Sequence, residues 1–360
     1  MAGPSGPPGI LGADEVTSAP GLDLDRLGPW LAAHLDDVGP HLTARRIAGG
    51  RSNLTYEVGD GRTSWIVRRP PLGHVLATAH DMAREHLVMS ALAPTAVPVP
   101  KSYAHCADDT VLGAPFTVME FVAGTPYRRA DELRPLGPMR TRALSHRFVE
   151  VLAALHAVEP AAVGLADFGR PQGFLTRQVA RWKKQLDASY CRDLPAATEL
   201  HRRLLDAVGA VEAAGTRPAV VHGDYRLDNV LVVEEDGTDR IAAVLDWELA
   251  TLGDPLTDLA LLVLYQRMAG WGIGGDDRND ACLAPGWPAE DELLATYASA
   301  AGRDLGPFGF HLGLAAFKLA AILEGIYFRH LHGGTVGDGF DSLADDIHPL
   351  LETGLTAMRG

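Results

Sequence analysis

Cysteine is scarce in this chain: Cys106, Cys191 and Cys282 lie far apart and form no Cys-x-x-Cys pair. That excludes a disulfide framework and a zinc site of ordinary spacing, and it predicts a reducing, cytoplasmic compartment. Long apolar runs are also missing. Leu259–Tyr265 falls far short of the roughly 18 residues that span a bilayer, so no membrane partner is expected. The start, Met-Ala-Gly-Pro-Ser-Gly-Pro-Pro-Gly, lacks the basic and apolar stretches of a signal peptide, and residues 1–21 read as a flexible tail. There is no internal repeat and no long charge block. A basic excess is absent too: 32 Lys and Arg stand against 46 Asp and Glu, a formal net charge of −14. This argues against a nucleic-acid partner and leaves room for a cationic substrate.

What is present is an ordinary soluble composition, 47% apolar and 22% charged, in a chain of 360 residues that could fold as one large domain or two. Leu22–Val38 has helical spacing, with Leu24, Leu27, Leu31 and Leu35 on one face. Thr43–Ala48, Leu54–Val58 and Ser64–Arg68 have strand character and are punctuated by Gly49-Gly50 and Gly59-Asp60-Gly61. A helix over Ala79–Leu92 and strands over Val97–Tyr103 and Phe116–Phe121 complete a small α+β unit. Beyond Gly124 helical periodicity dominates: Arg140–Ala157, Phe174–Ser189, Ala196–Ala214, Asp258–Met268, Asp291–Ala301 and Phe310–His330. Two strand-like pieces, Val230–Glu234 and Ile241–Leu245, interrupt it. The pattern predicts a bilobal α+β protein: a β-rich N-terminal lobe over 22–122 and a larger, mostly helical lobe over 123–360.

Those two pieces frame the most informative residues. His222-Gly-Asp224-Tyr-Arg-Leu-Asp-Asn229 precedes the first, and Asp246-Trp-Glu248 follows the second. A carboxylate that takes the proton of an attacking hydroxyl must sit beside the metal-bound phosphate without being consumed as a ligand. Asp224 fits that role, while Asn229, five residues on, and Asp246 offer the hard oxygens that Mg²⁺ requires. His-Gly-Asp alone would be a surface turn in most proteins; Asn229 and the neighbouring Asp-Trp-Glu carry the argument.

These residues give the chain a specific resemblance. His222–Asn229 is similar to the catalytic loop of the aminoglycoside phosphotransferase family, whose members have a protein-kinase-like fold, and Asp246 matches its metal-binding Asp. Gly253-Asp-Pro-Leu-Thr-Asp258-Leu-Ala260 resembles the segment that follows. The resemblance implies that Asp258 braces the catalytic loop and that His222 orients it; helix capping is the simpler role for Asp254 and Asp258. Ile47-Ala-Gly49-Gly50-Arg-Ser52-Asn53-Leu-Thr-Tyr56 resembles the family's Gly-Gly-x-x-Asn-x-x-Tyr phosphate loop rather than the Gly-x-Gly-x-x-Gly of protein kinases. Arg68 occupies the place of the usual phosphate-binding Lys, with Glu85 as its ion-pair partner and Arg69 as a competitor for the role. Glu120 and Val122 would dock a nucleotide base through their main chain.

Arg68-Arg-Pro-Pro71, Val99-Pro-Lys101, Val118-Met-Glu120 and Phe317-Lys318 to Arg329 look most like one branch of the family. That branch includes the kinase-like domains fused to some acyl-CoA dehydrogenases and free-standing actinobacterial homologues. The resemblance implies a Mg²⁺-dependent transfer of the γ-phosphoryl of ATP or GTP to a hydroxyl of a small molecule. That acceptor is an aminoglycoside, another antibiotic (giving resistance) or a hydroxylated metabolite. Glu248, Glu324 and Tyr327 are candidate acceptor contacts, and Trp271 and Trp287 flank a candidate lid. A monomer or homodimer is expected. The alternative is a catalytically silent kinase-like module that binds nucleotide or a partner, for which Arg68 is the support. Protein kinase activity is disfavoured because no activation segment separates Asp246 from Asp258.

Overall fold

Alternating burial builds the first sheet of the computed structural model, which describes residues 18–47, 53–72, 81–272, 279–334 and 343–359. The described chain divides into two compact units. One runs to Ala93 and includes Val99–Ala123; the other holds Pro94–Pro98 and everything from Gly124.

The first unit opens with a two-strand ribbon, β1 (Ser18–Ala19) and β2 (Leu22–Asp23), and helix α1 (Leu24–His34). Asp23 caps that helix, accepting the N–H groups of Asp25 and Arg26 at 3.1 and 3.2 Å, so the expected helix from Leu22 starts two residues later. Then come β3 (Thr43–Arg46), β4 (Leu54–Gly59), β5 (Ser64–Arg69), α2 (Met82–Leu92), β6 (Ser102–Cys106), α3 (Asp109–Leu112) and β7 (Phe116–Glu120). The strands form an antiparallel sheet in the order β3-β4-β5-β7-β6. Leu54, Tyr56 and Val58 of β4, with Trp65 and Val67 of β5, point into one apolar cluster with Phe116 and Val118. The strand expected at Val97–Tyr103 is instead Ser102–Cys106. Pro98 and Pro100 have no N–H to give a ladder, which moves the start downstream.

The second unit contains α4 (Ala130–Leu133), α5 (Gly137–Ala157), α6 (Phe174–Ala188), α7 (Pro195–Ala214), the strands β8 (Ala219–Val221), β9 (Val230–Glu235), β10 (Thr238–Val244) and β11 (Thr251–Gly253), and helices α8 (Leu256–Gly270), α9 (Glu290–Ala301), α10 (Phe308–Leu331) and α11 (Leu343–Ala357). Helix α10 packs against α6, α7, α8 and α11 and carries much of the core. It is long and apolar enough to cross a membrane by length and composition, yet 72% of its most apolar window is buried inside the protein. Lys318 and Glu324 interrupt this span, so it contains no unbroken apolar run of that length. Strands β8 and β11, three residues each, and helix α11, which contains Pro349, were not expected. Together the units give the expected α+β protein, with a small antiparallel N-lobe and a larger helical C-lobe.

Candidate active site

Two antiparallel pairings position the loop His222–Asn229. Strand β8 ends at Val221, which pairs with Thr251 of β11, so the loop leaves a ladder whose other strand runs directly into Asp254 and α8. At its far end, Leu227–Asn229 forms a 3₁₀ turn and enters β9. Val230 pairs with Val244 of β10, and the Leu245 N–H donates to the Asn229 carbonyl at 2.7 Å. Asp246 is thereby fixed one residue past the partner of Asn229. The Asn229 Nδ2 donates to the Asp224 carbonyl at 2.9 Å and lies 3.4 Å from its Oδ2, tying the two residues together. Asp246 itself has φ 65° and ψ 62°, a left-handed conformation that a non-glycine residue adopts at a cost. Buried Trp247 anchors it, donating Nε1–H to the Val244 carbonyl at 2.9 Å.

Asp224 retains 26% side-chain exposure. Tyr265 of α8 donates its hydroxyl to Oδ1 at 2.8 Å. Burial first, then the Asp224 charge, push the Tyr265 phenol well above its ordinary value, so it is a permanent donor. Arg226 lies 3.9 Å from the same oxygen but is held by Asp228, with Nη2 at 2.7 Å and Nε at 3.1 Å, and its guanidinium stacks over the Tyr265 ring. Burial opposes the Arg226 charge, and Asp224 and Asp228 outweigh it, raising its pKa further.

Beneath the loop is a buried polar brace. Asp258, in the first turn of α8, accepts the N–H groups of His222 at 2.6 Å and Gly223 at 2.8 Å. His156 of α5 approaches the same carboxylate through Nε2 at 3.2 Å and meets the Tyr297 hydroxyl through Nδ1 at 2.7 Å. His222 places Nε2 at 2.8 Å from the Leu245 carbonyl, which assigns the proton to Nε2 and leaves Nδ1 to accept the Asp224 N–H at 3.3 Å. Burial acts to raise the Asp258 pKa, but the His156 hydrogen bond and charge and then His222 outweigh it, holding the carboxyl below its ordinary value. Asp254 accepts the Leu256 N–H at 3.0 Å at the start of α8 and pairs with His311 at 3.1 Å. Asp254 therefore satisfies a first-turn N–H just ahead of the N-cap Pro255, and Asp258 gives its oxygens to the loop.

In the first unit, Arg68 of β5 binds Glu85 of α2 through Nη1 and Oε1 at 2.5 Å, with the carboxylate 1% exposed. Arg69 points to the other face and gives its guanidinium to the carbonyls of Gly21, Leu112 and Pro70. Its role is therefore structural. Asn53 is buried just before β4; Gly49, Gly50 and Ser52 lie outside the described residues. The Glu120 N–H, at the end of β7, donates to the Lys101 carbonyl at 2.8 Å, and Val122 follows in irregular backbone.

Among the candidate acceptor contacts, Glu248 sits in the 3₁₀ turn after Asp246. Glu324 differs from expectation: its side chain is 0% exposed and binds Arg192 at 3.0 Å and the Cys191 thiol at 3.1 Å, so it ties α10 to the segment after α6. Tyr327 lies under the Arg192 guanidinium. Of the candidate lid, residues 273–278 are outside the described set. Trp271 is partly exposed, whereas Trp287 packs near Phe148 and reaches Gln266 at 3.4 Å. Sequence reasoning missed both Tyr265 and His156. The aromatic in a mostly apolar helix gave no signal, since its partner is 41 residues away.

A model of the phosphotransferase enzyme family matches residues 43–306. Acyl-CoA dehydrogenase family member 11 of Gallus gallus is 34% identical over 326 residues, covering 87% of this chain and 40% of that protein. The chain thus spans less than half the length of the curated relatives it matches most extensively. The crystal structure of a candidate aminoglycoside phosphotransferase from Ralstonia eutropha JMP134 superposes with a TM-score of 0.81 at 32% identity, covering 94% of this chain and 98% of that one. An aminoglycoside phosphotransferase solved with GDP and kanamycin shares the fold at 15% identity, with a TM-score of 0.58 and coverage of 92% of this chain and 99% of that one. With the family model covering most of its length, the chain belongs to the phosphotransferase enzyme family, among the aminoglycoside phosphotransferases and their kinase-like relatives.

Proposed function

We propose that the protein is a small-molecule kinase that moves the γ-phosphoryl of ATP or GTP to an alcohol. Asp224 accepts the acceptor's hydroxyl proton, the freed oxygen bonds to the γ-phosphorus, and the bond to the β-phosphate oxygen breaks, releasing the nucleoside diphosphate. The carrying observation is the state of Asp224, partly open to solvent with one oxygen fixed by Tyr265 and its backbone held by Asn229. Tyr265 holds Oδ1 and the Asn229 Nδ2 lies 3.4 Å from Oδ2, the oxygen assigned to the incoming hydroxyl.

The donor set suits Mg²⁺. Asn229 and Asp246 would supply one amide and one carboxylate oxygen. Few protein ligands, completed by phosphate and water oxygens, are what Mg²⁺ accepts. When bound there it would neutralise charge on the phosphate oxygens. Arg68, held by Glu85, is assigned to the α- and β-phosphates with Asn53 and the Gly49–Ser52 stretch; Glu120 and Val122 are assigned to the base. The acceptor class is an aminoglycoside, another antibiotic or a hydroxylated metabolite.

A mass-shift screen of pooled hydroxylated metabolites and antibiotics, with Mg²⁺ and either ATP or GTP, tests this. The expected result is a phosphorylated product with wild type and none with Asp224→Ala. Arg in place of Lys at position 68 favours one rival, a silent nucleotide-binding module. Tight Mg·ATP binding by both proteins without transfer to any pool would establish that rival instead.

A further inference from the structure

Gly223, the residue before the proposed base, has both halves of its backbone polarity held by side chains of opposite charge. Asp258 of α8 accepts its N–H at 2.8 Å, and Lys318 of α10 donates Nζ–H to its carbonyl at 2.9 Å. Its φ of +87° is left-handed, and a Cβ here would lie 2.8 Å from Leu249 Cβ, so the peptide has little room to shift. The two clamps enter from helices that are far away in sequence, the lysine 95 residues downstream.

Lys318 is half-buried, with the Trp182 ring and the Gly223 carbonyl beside its ammonium. Its neighbours Phe317, Leu319, Ala320 and Ala321 are all buried in the core of the second unit. Removing an ammonium group from water costs free energy that packing does not return. Burial accordingly lowers its pKa, while Asp224 and then Asp258 act to raise it and Arg181 to lower it. The Trp182 ring, 5.6 Å from Nζ, offsets part of the cost. A methionine would keep the length and the apolar stem of the side chain. What it could not supply is the charged donor aimed at the Gly223 carbonyl.

We infer that Lys318 is a positioning residue for phosphoryl transfer: its ammonium pins the Gly223 carbonyl and so fixes the direction of the Asp224 carboxylate toward the acceptor hydroxyl. The inference rests on the phosphotransferase reading with Asp224 as base. It separates Lys318 from nucleotide binding. A misaimed base slows the chemical step, since small displacements of a reacting group are costly, and leaves capture of the nucleotide intact.

The test compares full-length wild type, K318M, K318R, K318Q and Asp224→Ala, using Mg·ATP labelled in the γ-phosphate and the acceptor pools above. Transfer rate, KM for Mg·ATP and thermal midpoint are recorded for each. K318M is expected to transfer about tenfold or more slowly, the scale of losing one hydrogen bond from a charged donor, with KM for Mg·ATP and the midpoint little changed. K318R, which keeps a charged donor, should recover rate, and K318Q, a neutral donor, should fall between. If K318M does not fold, the order of K318R and K318Q decides. Wild-type rates in K318M sink the inference alone. So does a rate loss that K318R fails to recover and that tracks the fall in midpoint, since that pattern marks a purely structural residue. Inert wild type alongside inert Asp224→Ala overturns the phosphotransferase reading and this inference with it.

Discussion

Asp258 binds two consecutive backbone N–H groups of the loop that carries Asp224, reaching back to Gly223 at 2.8 Å across 35 residues. The carboxylate is 1% exposed, so removing it strands buried donors rather than returning them to water. Asp258→Ala is expected to destabilise the protein by about 3 kcal/mol, the scale for an uncompensated buried partner, measured by chemical denaturation. Asp258→Asn keeps one acceptor and should lose less. A change below about 0.5 kcal/mol for the alanine variant, the range of a neutral surface substitution, would show that the brace carries no weight.

The Tyr265 hydroxyl fixes Oδ1 of Asp224 at 2.8 Å, while the Asn229 Nδ2 lies 3.4 Å from Oδ2. Tyr265→Phe removes only that donor and keeps the ring under Arg226. Turnover is expected to drop roughly tenfold, in line with a hydrogen bond to a charged group, with the fold intact by thermal melting. Unchanged turnover would mean that Asp224 is aimed by its backbone alone.

Gly223 tests the loop from the other side. In Gly223→Ala the new Cβ would meet Leu249 Cβ at 2.8 Å and its carbonyl oxygen at 2.9 Å, at a left-handed φ. The combined strain should exceed about 1–2 kcal/mol and lower the thermal midpoint by several degrees. Gly61, also left-handed but with nothing within 4 Å, is the control: Gly61→Ala should lose only the conformational part. Equal losses at the two positions would show that the Leu249 contact is immaterial.

These relationships also mark where the sequence stops being readable. The β9–β10 hairpin, Asn229 and Asp246 are legible because residue type, spacing and strand pattern lie within one short stretch. Arg68 and Glu85 are legible through the resemblance, which implies a cation on the third strand and its carboxylate partner on the following helix. Tyr265 with Asp224, His156 with Asp258 and Lys318 with Gly223 are not, because each pairing is made by helix packing over long sequence separations. Nothing in local spacing distinguishes the Tyr265 partner from any other half-buried aromatic. Strands β8 and β11 escaped notice because three residues show no period, though their pairing places the loop beside α8.

Acid should unfold the protein through the carboxylates that histidines hold. For Asp254, burial acts to raise the pKa, but the His311 hydrogen bond and charge and the Leu256 N–H outweigh it and lower the folded value. A depressed folded pKa gives stability that is full above the unfolded value, near 3.9, and is lost as pH falls toward the folded one. The midpoint of wild type should therefore exceed that of Asp254→Asn at pH 6, and the gap should shrink below about pH 4. A gap that stays constant down to pH 3 would remove Asp254 from the account of acid sensitivity.

Glu324 separates structure from acceptor recognition. Its carboxylate is closed off from solvent and bound by Arg192 and by Cys191, whose thiol is pushed up to about 11 by burial and then by Glu324 itself. That thiol stays protonated at neutral pH and donates, so the carboxylate has two donors. Arg192 also reaches the Ala344 carbonyl at 3.0 Å, which links the pair to α11. Glu324→Ala would leave the guanidinium without its carboxylate and open space beside α10. The expected cost is about 2–3 kcal/mol, below the full penalty for a buried pair because Arg192 is 26% exposed. Turnover per folded molecule and KM for the acceptor should stay near wild type. A rise in acceptor KM of tenfold or more without loss of stability would reverse the assignment and return Glu324 to the acceptor site.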